Sequence, residues 1–490
     1  MDAAVARALH ESDFRLTAPN GFGDTVNHYA HSMAVFEGKV YVGTTRGVIQ
    51  AHRWNLARPD IRPWPVQSPD IIHDVPRQAE IWCFDPLADH WTRVYQAPMV
   101  MATNGSRMVP RYIGYRGIGV FQGASDDKPC LYVSTWAPQI AEPPDVLRSV
   151  DGVSFEPTTR PPFSPMVRSF RTLQRFQGRV HTTPTSSSKG ARLISDSIGS
   201  DSTIYATDDV QRSPWRPAND EGFGNPDNVT IFEMEEFNDH LYAGTVNPVS
   251  GFELWKTPGG DLPYRWTRVL QHGAGRGIFN EVGVSMCAFN GALYVGTGVL
   301  SGGYHRAMRI GPAAAELLRV WPDDSWELIV GDGRRTDDGL RYPLSGYGAG
   351  FDTFFNGYVW RMVCHEGRLY AGTFSWGQNV PWLQLSIWPP DALALMDRWG
   401  RDALTTSRGG AELWSSADGE RWEPVTVNGF GNRFNWGIRN MASLPQGLLV
   451  ATANPFGPTV VQQQDRGDWR YIDNPRGGCE VWLGREGGWT

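Results

Sequence analysis

The sequence has few of the features that mark secreted, membrane-bound or nucleic-acid-binding proteins. Its 490 residues include five cysteines and no Cys-x-x-Cys pair. No run of about 18 apolar residues occurs, and the first residues lack the cationic start and apolar core of a signal peptide. The formal net charge is −7, and no basic run stands out. We therefore expect a soluble cytoplasmic protein that binds neither membranes nor nucleic acid.

The cysteines are widely spaced, and most lie in strand-like segments such as IWCFD and SMCAF. The five are Cys83, Cys130, Cys287, Cys364 and Cys479. Their odd number and spacing favour buried, reduced thiols with a structural role over a zinc or redox site. No metal or other cofactor is predicted.

A hairpin pattern recurs along the chain, and its clearest copy is NGYVWRMVCHEGRLYAGT, from Asn356 to Thr373. Seven copies end in the same residue type, at Thr44, Thr135, Thr183, Thr245, Thr297, Thr373 and Thr452. The position that opens each copy holds, in order, Asn27, Tyr112, Val167, Asn228, Asn280, Asn356 and Asn435. Self-similarity of this kind, built from short strands and turns, predicts an all-β fold, a seven-bladed β-propeller.

The length agrees with a single repeat-built domain over 1–490, because 490 divided by seven leaves 70 residues for each four-stranded blade. The 55 glycines, 35 prolines and 21 tryptophans suit a turn-rich, aromatic-packed chain. The predicted blades cover 27–98, 112–159, 167–219, 228–270, 280–330, 356–427 and 435–490.

The N-terminus matches the fourth strand of a repeat, because FRLTAPNGFG from Phe14 aligns with WEPVTVNGFG from Trp422. We therefore predict that residues 12–19 form the outer strand of the last blade and close the ring. Two turns between third and fourth strands contain Ser-x-Asp-Gly, at Asp151 and Asp418. Their aspartates should accept backbone N–H groups of the turn and carry no catalytic role.

The insertions fall on one face of the predicted ring. The long stretches 45–79, 184–202, 374–409 and 453–478 all join second to third strands, and 331–355 joins a fourth strand to the next first strand. Long loops on one face of a rigid scaffold usually build a site. We place that site at the upper mouth of the central channel.

Candidate site residues lie mainly in the variable segments of the first strands. The candidates for binding are Arg116, Arg171, Arg361, Arg439, Arg168, Trp360, Trp436 and Tyr112, with Arg46 and Trp376 from loops. The candidates for catalysis are Glu233, Glu281, Tyr358, His28 and His31.

Two interpretations of the arginines stay open. They form an anion-recognising pocket, or they make salt bridges between blades and line a water-filled channel. Glu233 and Glu281 are likewise either general bases or structural partners of arginines. His28 and His31 are three residues apart on a strand and should face opposite sides, which disfavours a shared metal.

The LYVGT hairpin, the GFELW and GAELW segments and the SxDG turn resemble bacterial seven-bladed propellers of the Asp-box and kelch-like kind, over nearly the whole chain. Within that group the sequence is most similar to the propeller of cylindrocyclophane-forming alkylating enzymes. The resemblance implies polar residues that activate a phenol-type nucleophile toward an alkyl halide. The additional calcium-binding domain of those enzymes has no counterpart in these residues.

Three functions remain open. The first is an enzyme that transforms a small aromatic or anionic metabolite by C–C or C–O bond formation or cyclisation, with arginines binding the anion and a Glu or Tyr moving a proton. The second is a sialidase-like glycan hydrolase or lyase, although the FRIP-type motif of sialidases is missing. The third is a non-catalytic binding or scaffold propeller. The irregular loops favour an enzyme, and the oligomeric state stays open.

Overall fold

The computed structural model describes residues 7–55, 61–158, 160, 162–163, 167–185, 201–305, 308–384, 386, 388, 390–400, 409–464 and 467–489. The fold is predominantly β and antiparallel, as the sequence predicts. Its strands pair in four-stranded runs that follow the sequence repeats.

The chain begins with β1 (Phe14–Ala18), which is described with the last run below. The first run is β2 (Asn27–Phe36), β3 (Lys39–Arg46), β4 (Glu80–Asp85) and β5 (His90–Gln96). The second is β8 (Gly114–Phe121), β9 (Cys130–Trp136), β10 (Val146–Ser149) and β11 (Glu156–Pro157). The third is β13 (Gln174–Phe176), β14 (Arg179–Thr182), β16 (Tyr205–Thr207) and β17 (Arg216–Pro217).

The fourth run is β18 (Thr230–Phe237), β19 (His240–Val246), β20 (Leu254–Thr257) and β21 (Thr267–Leu270). The fifth is β22 (Val282–Phe289), β23 (Ala292–Gly298), β24 (Leu317–Val320) and β25 (Trp326–Val330). The sixth is β28 (Asn356–His365), β29 (Arg368–Ser375), β30 (Leu413–Ser416) and β31 (Glu423–Thr426). The last is β32 (Gly437–Leu444), β33 (Gly447–Ala453) and β36 (Val481–Gly484), and β1 completes it.

The connections contain the remaining elements. Their paired strands are β6 (Met99–Met101) with β7 (Met108–Pro110), β12 (Ser169–Phe170) with β15 (Pro184–Thr185), β26 (Arg334–Thr336) with β27 (Gly339–Arg341), and β34 (Thr459–Gln463) with β35 (Trp469–Asp473). The helices are α1 (Val48–Asn55), α2 (Leu300–Gly303) and α3 (Pro390–Trp399). Short 3-10 helices span Glu11–Asp13, Ile72–Asp74, Glu221–Gly224, His272–Gly275, Gly277–Asn280 and Gly377–Trp382. In the described part of the chain, no helix has both the length and the apolar character needed to cross a bilayer.

Neighbouring runs meet through their first strands. The first strands are in contact in the order β13, β18, β22, β28, β32, β2 and β8. Between the second and third runs, β8 contacts β12, the short strand just before β13. The glycine before the repeated threonine makes this approach possible. A Cβ on Gly372 would lie 2.4 Å from Cβ of Ile438 in the next run, and one on Gly296 would lie 2.7 Å from the carbonyl oxygen of Val359. The hairpin glycine is therefore a packing requirement between runs, and not only a turn residue.

The repeated asparagine anchors a buried hydrogen-bond network. In the fourth run the Asn228 amide donates to the Gly222 carbonyl (2.9 Å) and to the Glu253 carboxylate (2.7 Å), and it accepts from the Thr245 hydroxyl (3.1 Å). The Glu253 carboxylate also accepts from the Trp255 indole at 2.9 Å. Asparagine-to-glutamate bonds recur in three other runs, as Asn27 to Glu80, Asn280 to Glu316 and Asn435 to Glu480. The network ties the loop before the first strand to the third strand of the same run.

The second run keeps this link with different residues. The Tyr112 hydroxyl, in the asparagine position, donates at 2.8 Å to Asp145, which occupies the glutamate position. Arg111 also pairs with Asp145. Tyrosine is longer than the asparagine of the other runs, and aspartate is shorter than their glutamate, so the two side chains still meet. Tyr112 therefore belongs to the scaffold.

The two predicted Ser-x-Asp-Gly turns form as expected. Asp151 accepts the backbone N–H groups of Val153 and Ser154 at 2.8 Å each, and Gly152 has φ +72°. These hydrogen bonds lower the pKa of Asp151 to about 2, with the bond from Ser154 having the largest effect. Asp418 binds the backbone of its own turn in the same way. Both aspartates stabilise turns.

The network makes a stability prediction. Glu253→Gln removes the charge that binds Arg268 and turns an amide NH₂ toward donors on Asn228 and Trp255. We expect it to lower the free energy of unfolding by about 3 kcal/mol. The exposed Glu236→Gln is the matched control and should change stability by less than about 0.5 kcal/mol. Urea denaturation followed by tryptophan fluorescence measures both, and equal midpoints for the two variants would contradict the role of the network.

Candidate functional site

A recurring β-bulge interrupts the first strands at one register. The pairing shifts between Ala30 and Ser32, and again between Tyr115 and Gly117. The same shift occurs in four further runs, and the residues at the bulges are His31, Arg116, Phe232, Val284, Trp360 and Arg439. A bulge re-aims its side chain relative to the regular strand. Three of these residues are close enough to interact, because Arg439 and Arg116 both act on the charge of His31.

The bulges gather a set of charged side chains, which we name the arginine cluster. It consists of His31, Arg116, Arg171, Glu233, Arg361 and Arg439. Arg439, Arg116 and Arg171 all lower the pKa of His31, after its burial, which has the largest effect. Six of the sequence repeats thus contribute one charged or titratable group each to the same place.

Glu233 is the carboxylate at the centre of this cluster. Its Oε2 lies 3.6 Å from Nη1 of Arg361, and its side chain is 13% exposed against 34% for Arg361. Burial raises the pKa of Glu233, while Arg361, Arg439 and Arg171 oppose that rise. Two residues further along β18, burial and the Glu233 charge raise the pKa of Glu235 to about 8. Glu235 is therefore protonated at neutral pH and adds no negative charge.

Aromatic rings cover the arginines instead of further carboxylates. The guanidinium of Arg171 lies 3.8 Å from the centroid of the Phe232 ring, and that of Arg439 lies 5.0 Å from the Trp360 ring. Arg116 lies 5.2 Å from the Trp136 ring. Cation–π contacts of this kind are weaker than a buried ion pair, so the contact with Trp360 only partly offsets the cost of burying the Arg439 charge.

The pKa values of Arg171 and Arg439 reflect the cost of burying their charges. Burial lowers the pKa of Arg171 to about 10 and that of Arg439 to about 9, and Glu233 only partly offsets the effect. Nε of Arg439 is also buried with no hydrogen-bond partner among the described residues. An anion bound at the cluster would therefore offset the buried charge of Arg439 and accept a hydrogen bond from its Nε.

Above the cluster, the long loops pack into an apolar cap. It contains Val48 and Ile49 of α1, Val380 and Trp382 of the helix at Gly377–Trp382, and Val460 of β34. These side chains form one cluster with Tyr29, Tyr358, Phe374, Trp376 and Trp436 near the upper ends of the first strands. The described loops thus cover the upper side, where the sequence led us to place the site, and the polar groups lie beneath them.

Several predicted catalytic residues hold the loops in place. The Glu281 carboxylate binds Nδ1 of His305 at 2.6 Å and accepts the Leu300 N–H at 3.0 Å. Nδ1 of His28 accepts the Val48 N–H at 2.9 Å, and burial lowers the His28 pKa to about 3. The Tyr358 hydroxyl is bonded by the backbone of α2, and burial raises its pKa. The structure places these groups beside loops, with their polar atoms already engaged.

Six predicted binding residues lie outside the cluster. Trp360 borders it against Arg439, and Trp436 packs in the apolar cap. The Arg46 guanidinium binds Asn27 and Asp24, and Tyr112 binds Asp145, so both belong to the scaffold network. Arg168 donates to the Ala141 carbonyl at 3.1 Å. Trp376 packs in the apolar cap.

Phe232, Trp136 and Glu235 were not singled out from the sequence, although they border the cluster. Phe232 directly precedes Glu233 and Trp136 directly follows the repeated Thr135, so an aromatic residue beside a repeat landmark was the available signal. No group of three or more His, Cys, Asp or Glu side chains is arranged to hold a metal within the residues described above.

No protein-family model and no curated protein matches the sequence. Among solved structures, the chain is similar to an ancestral GH74 enzyme (10% identity, TM-score 0.48), covering 94% of this chain and 48% of that one, so it spans about half of that enzyme. It is similar to virginiamycin B lyase from Staphylococcus aureus (9% identity, TM-score 0.44), covering 96% and 98% of the two chains. It is also similar to the BP39L lectin from Burkholderia pseudomallei (9% identity, TM-score 0.44), covering 92% and 99%.

Proposed function

We propose that the four-stranded runs are the blades of a single-domain, seven-bladed β-propeller. The contacts between successive first strands, including that from β32 back to β2, support a closed ring. The antiparallel pairing of β1 with β36 supports closure by the N-terminal strand, which would complete the last blade. The arginine cluster then lies inside the ring, below the apolar cap.

We propose further that the arginine cluster binds a small organic anion, and that the protein is an enzyme acting on it. The observation that carries the proposal is the convergence of three arginines, Arg361, Arg439 and Arg171, on the Glu233 carboxylate, with the pKa values of Arg171 and Arg439 depressed. A bound carboxylate or phenolate would place a negative charge beside Arg439 and accept a hydrogen bond from its Nε. Rings such as Phe232 and Trp360 beside the guanidinium groups suit an aromatic body on the ligand.

The same residues provide a route for proton transfer. Glu233, with its raised pKa, can take a proton from a hydroxyl of the bound ligand. Before the transfer, Arg361 stabilises the ionised Glu233 carboxylate. Arg171 and Arg439 then stabilise the oxyanion that forms. The apolar cap excludes water, which strengthens each of these interactions. The oxyanion formed in this way, or a carbon atom conjugated with it, would act as the nucleophile in bond formation or cyclisation.

The charge imbalance predicts that Arg439 destabilises the unliganded protein. Because its pKa falls to about 9 in the folded state, the charged form costs free energy at every pH below about 9, and the cost declines as the pH rises above that value. We expect Arg439→Met to raise the free energy of unfolding by about 1 kcal/mol at pH 7.

Thermal denaturation at pH 7 and pH 10 tests this expectation, with the exposed Arg421→Met as the matched control. The advantage of Arg439→Met over the control should be smaller at pH 10. A variant less stable than the control at pH 7 would show that Arg439 has a structural role instead.

The enzymatic proposal predicts different defects for two variants. In metabolite profiling of source-cell extract, the wild-type protein should consume specific mass features. Glu233→Gln should keep ligand binding and lower turnover by about 100-fold or more, because it removes the proton acceptor. Arg171→Met should weaken binding, because it removes a charge that holds the anion.

Glu236→Gln, on the exposed part of β18, is the control and should match the wild type. The mass change of the consumed features distinguishes bond formation from glycan hydrolysis or elimination. If the folded wild-type protein retains a ligand but turns nothing over, the binding-protein alternative replaces the enzyme.

A further inference from the structure

Two of the five cysteines lie together between the first strands of neighbouring runs. Cys287 on β22 and Cys364 on β28 are half-buried, and their Sγ atoms are 3.6 Å apart. The other three, Cys83, Cys130 and Cys479, are buried. The sequence favours five isolated structural thiols, because nothing in the spacing of Cys287 and Cys364 shows that the fold joins them.

The surroundings make the two thiols unequal. The S–H of Cys364 donates to the Ala288 carbonyl at 3.2 Å, which fixes its side chain toward β22. The hydrogen bond from Cys287 lowers the pKa of the Cys364 thiol, and the same bond, followed by burial, raises the pKa of Cys287. Cys364 is therefore the thiol that ionises first. Because the thiolate is the nucleophile, Cys364 is the reactive member of the pair.

The chemistry of the neighbours favours thiol exchange over metal binding. The titratable side chains that act on the pair are Glu235 from β18, which is protonated at neutral pH, and Arg361 from β28. Within the described ranges no third His, Cys, Asp or Glu is placed to complete a metal site with the two sulfurs. Structural zinc takes four ligands, whereas disulfide chemistry needs only two sulfurs in contact.

We propose that Cys287 and Cys364 form a peroxide-sensitive dithiol that closes to a disulfide between the two strands. The Cys364 thiolate attacks a peroxide oxygen, the O–O bond breaks, and Cys364 becomes a sulfenic acid while hydroxide leaves and is protonated to water. The Cys287 sulfur then attacks the sulfenic sulfur. The S–S bond forms, and the departing hydroxide takes the Cys287 proton as a second water. One peroxide thus oxidises two thiols by two electrons.

The disulfide would join two strands that otherwise meet only through side-chain packing and single hydrogen bonds, such as that from Ser285 to the Val359 carbonyl. Arg361 of the arginine cluster lies three residues before Cys364 on the same strand. Oxidation therefore fixes β28 to β22 directly beside the proposed anion site, whatever that site binds.

The test uses the intact folded protein and hydrogen peroxide as the oxidant. After a short treatment with a small molar excess, remaining thiols are alkylated under denaturing conditions and mapped by mass spectrometry. We expect two of the five thiols to lose reactivity, a cross-linked peptide containing Cys287 and Cys364, and full recovery on reduction. Cys83, Cys130 and Cys479 serve as internal controls in the same map and should remain alkylatable.

Single variants test the order of the two steps. Cys287→Ser should leave a sulfenic acid on Cys364 that dimedone traps, while Cys364→Ser should slow the peroxide reaction by about tenfold or more. If Cys287 and Cys364 both stay alkylatable in the wild-type protein, or react only as fast as the three control cysteines, the proposal is wrong. Because the wild-type map needs no variant, a misfolded variant does not affect this outcome.

Discussion

The buried hydrogen bond between the repeated asparagine and the carboxylate of the third strand sets the geometry of four runs, and the bond from Tyr112 to Asp145 does so in the second. It connects the loop that enters the first strand with a strand two positions further out. The carboxylate is satisfied by several donors, so its burial is stabilising only while the whole network is present. Glu316 shows this dependence, because it accepts from Asn280, from the Asp332 N–H and from Arg334. The height at which each first strand starts is fixed in this way.

A fixed starting height explains why the bulges coincide. In β18 and β28 the bulge follows the repeated asparagine by the same four residues, at Phe232 and Trp360. The residues at and just after the bulges are then free to differ, because the glycine, threonine and asparagine positions already hold the strands. Four arginines can collect at this level without being required for folding. The depressed pKa values of Arg171 and Arg439 indicate that burying these two charges costs folding free energy, which is typical of residues retained for binding.

The sequence was sufficient for the strands and their order, because the asparagine and threonine positions recur with nearly constant spacing. It also singled out the arginines, since they occupy the variable segment between those positions, and their role in binding stays a prediction. The sequence did not show the hydrogen-bond partners of several candidate residues, for example where one chemical group takes the role of another. Tyr112 looked like a ligand-binding residue, but its hydroxyl does the work of the asparagine amide opposite Asp145. Glu281 looked like a base, and its partner His305 comes from a loop whose path local sequence does not determine.

The position of the site depends on both the repeats and the insertions, and the sequence predicts the repeats better than the insertions. The repeats predict a site at the upper mouth of the channel, and the insertions supply apolar side chains such as Ile49 and Trp382 that cover this side. Insertions have no register to follow, so their packing is decided by which apolar surfaces they can bury, and the upper ends of the first strands offer such a surface at Tyr358 and Phe374. Once that surface is covered, the charged residues below face a smaller, drier space. Electrostatic interactions are stronger there than in an open channel, which raises both the cost of the unliganded arginines and the affinity that an anion gains from them.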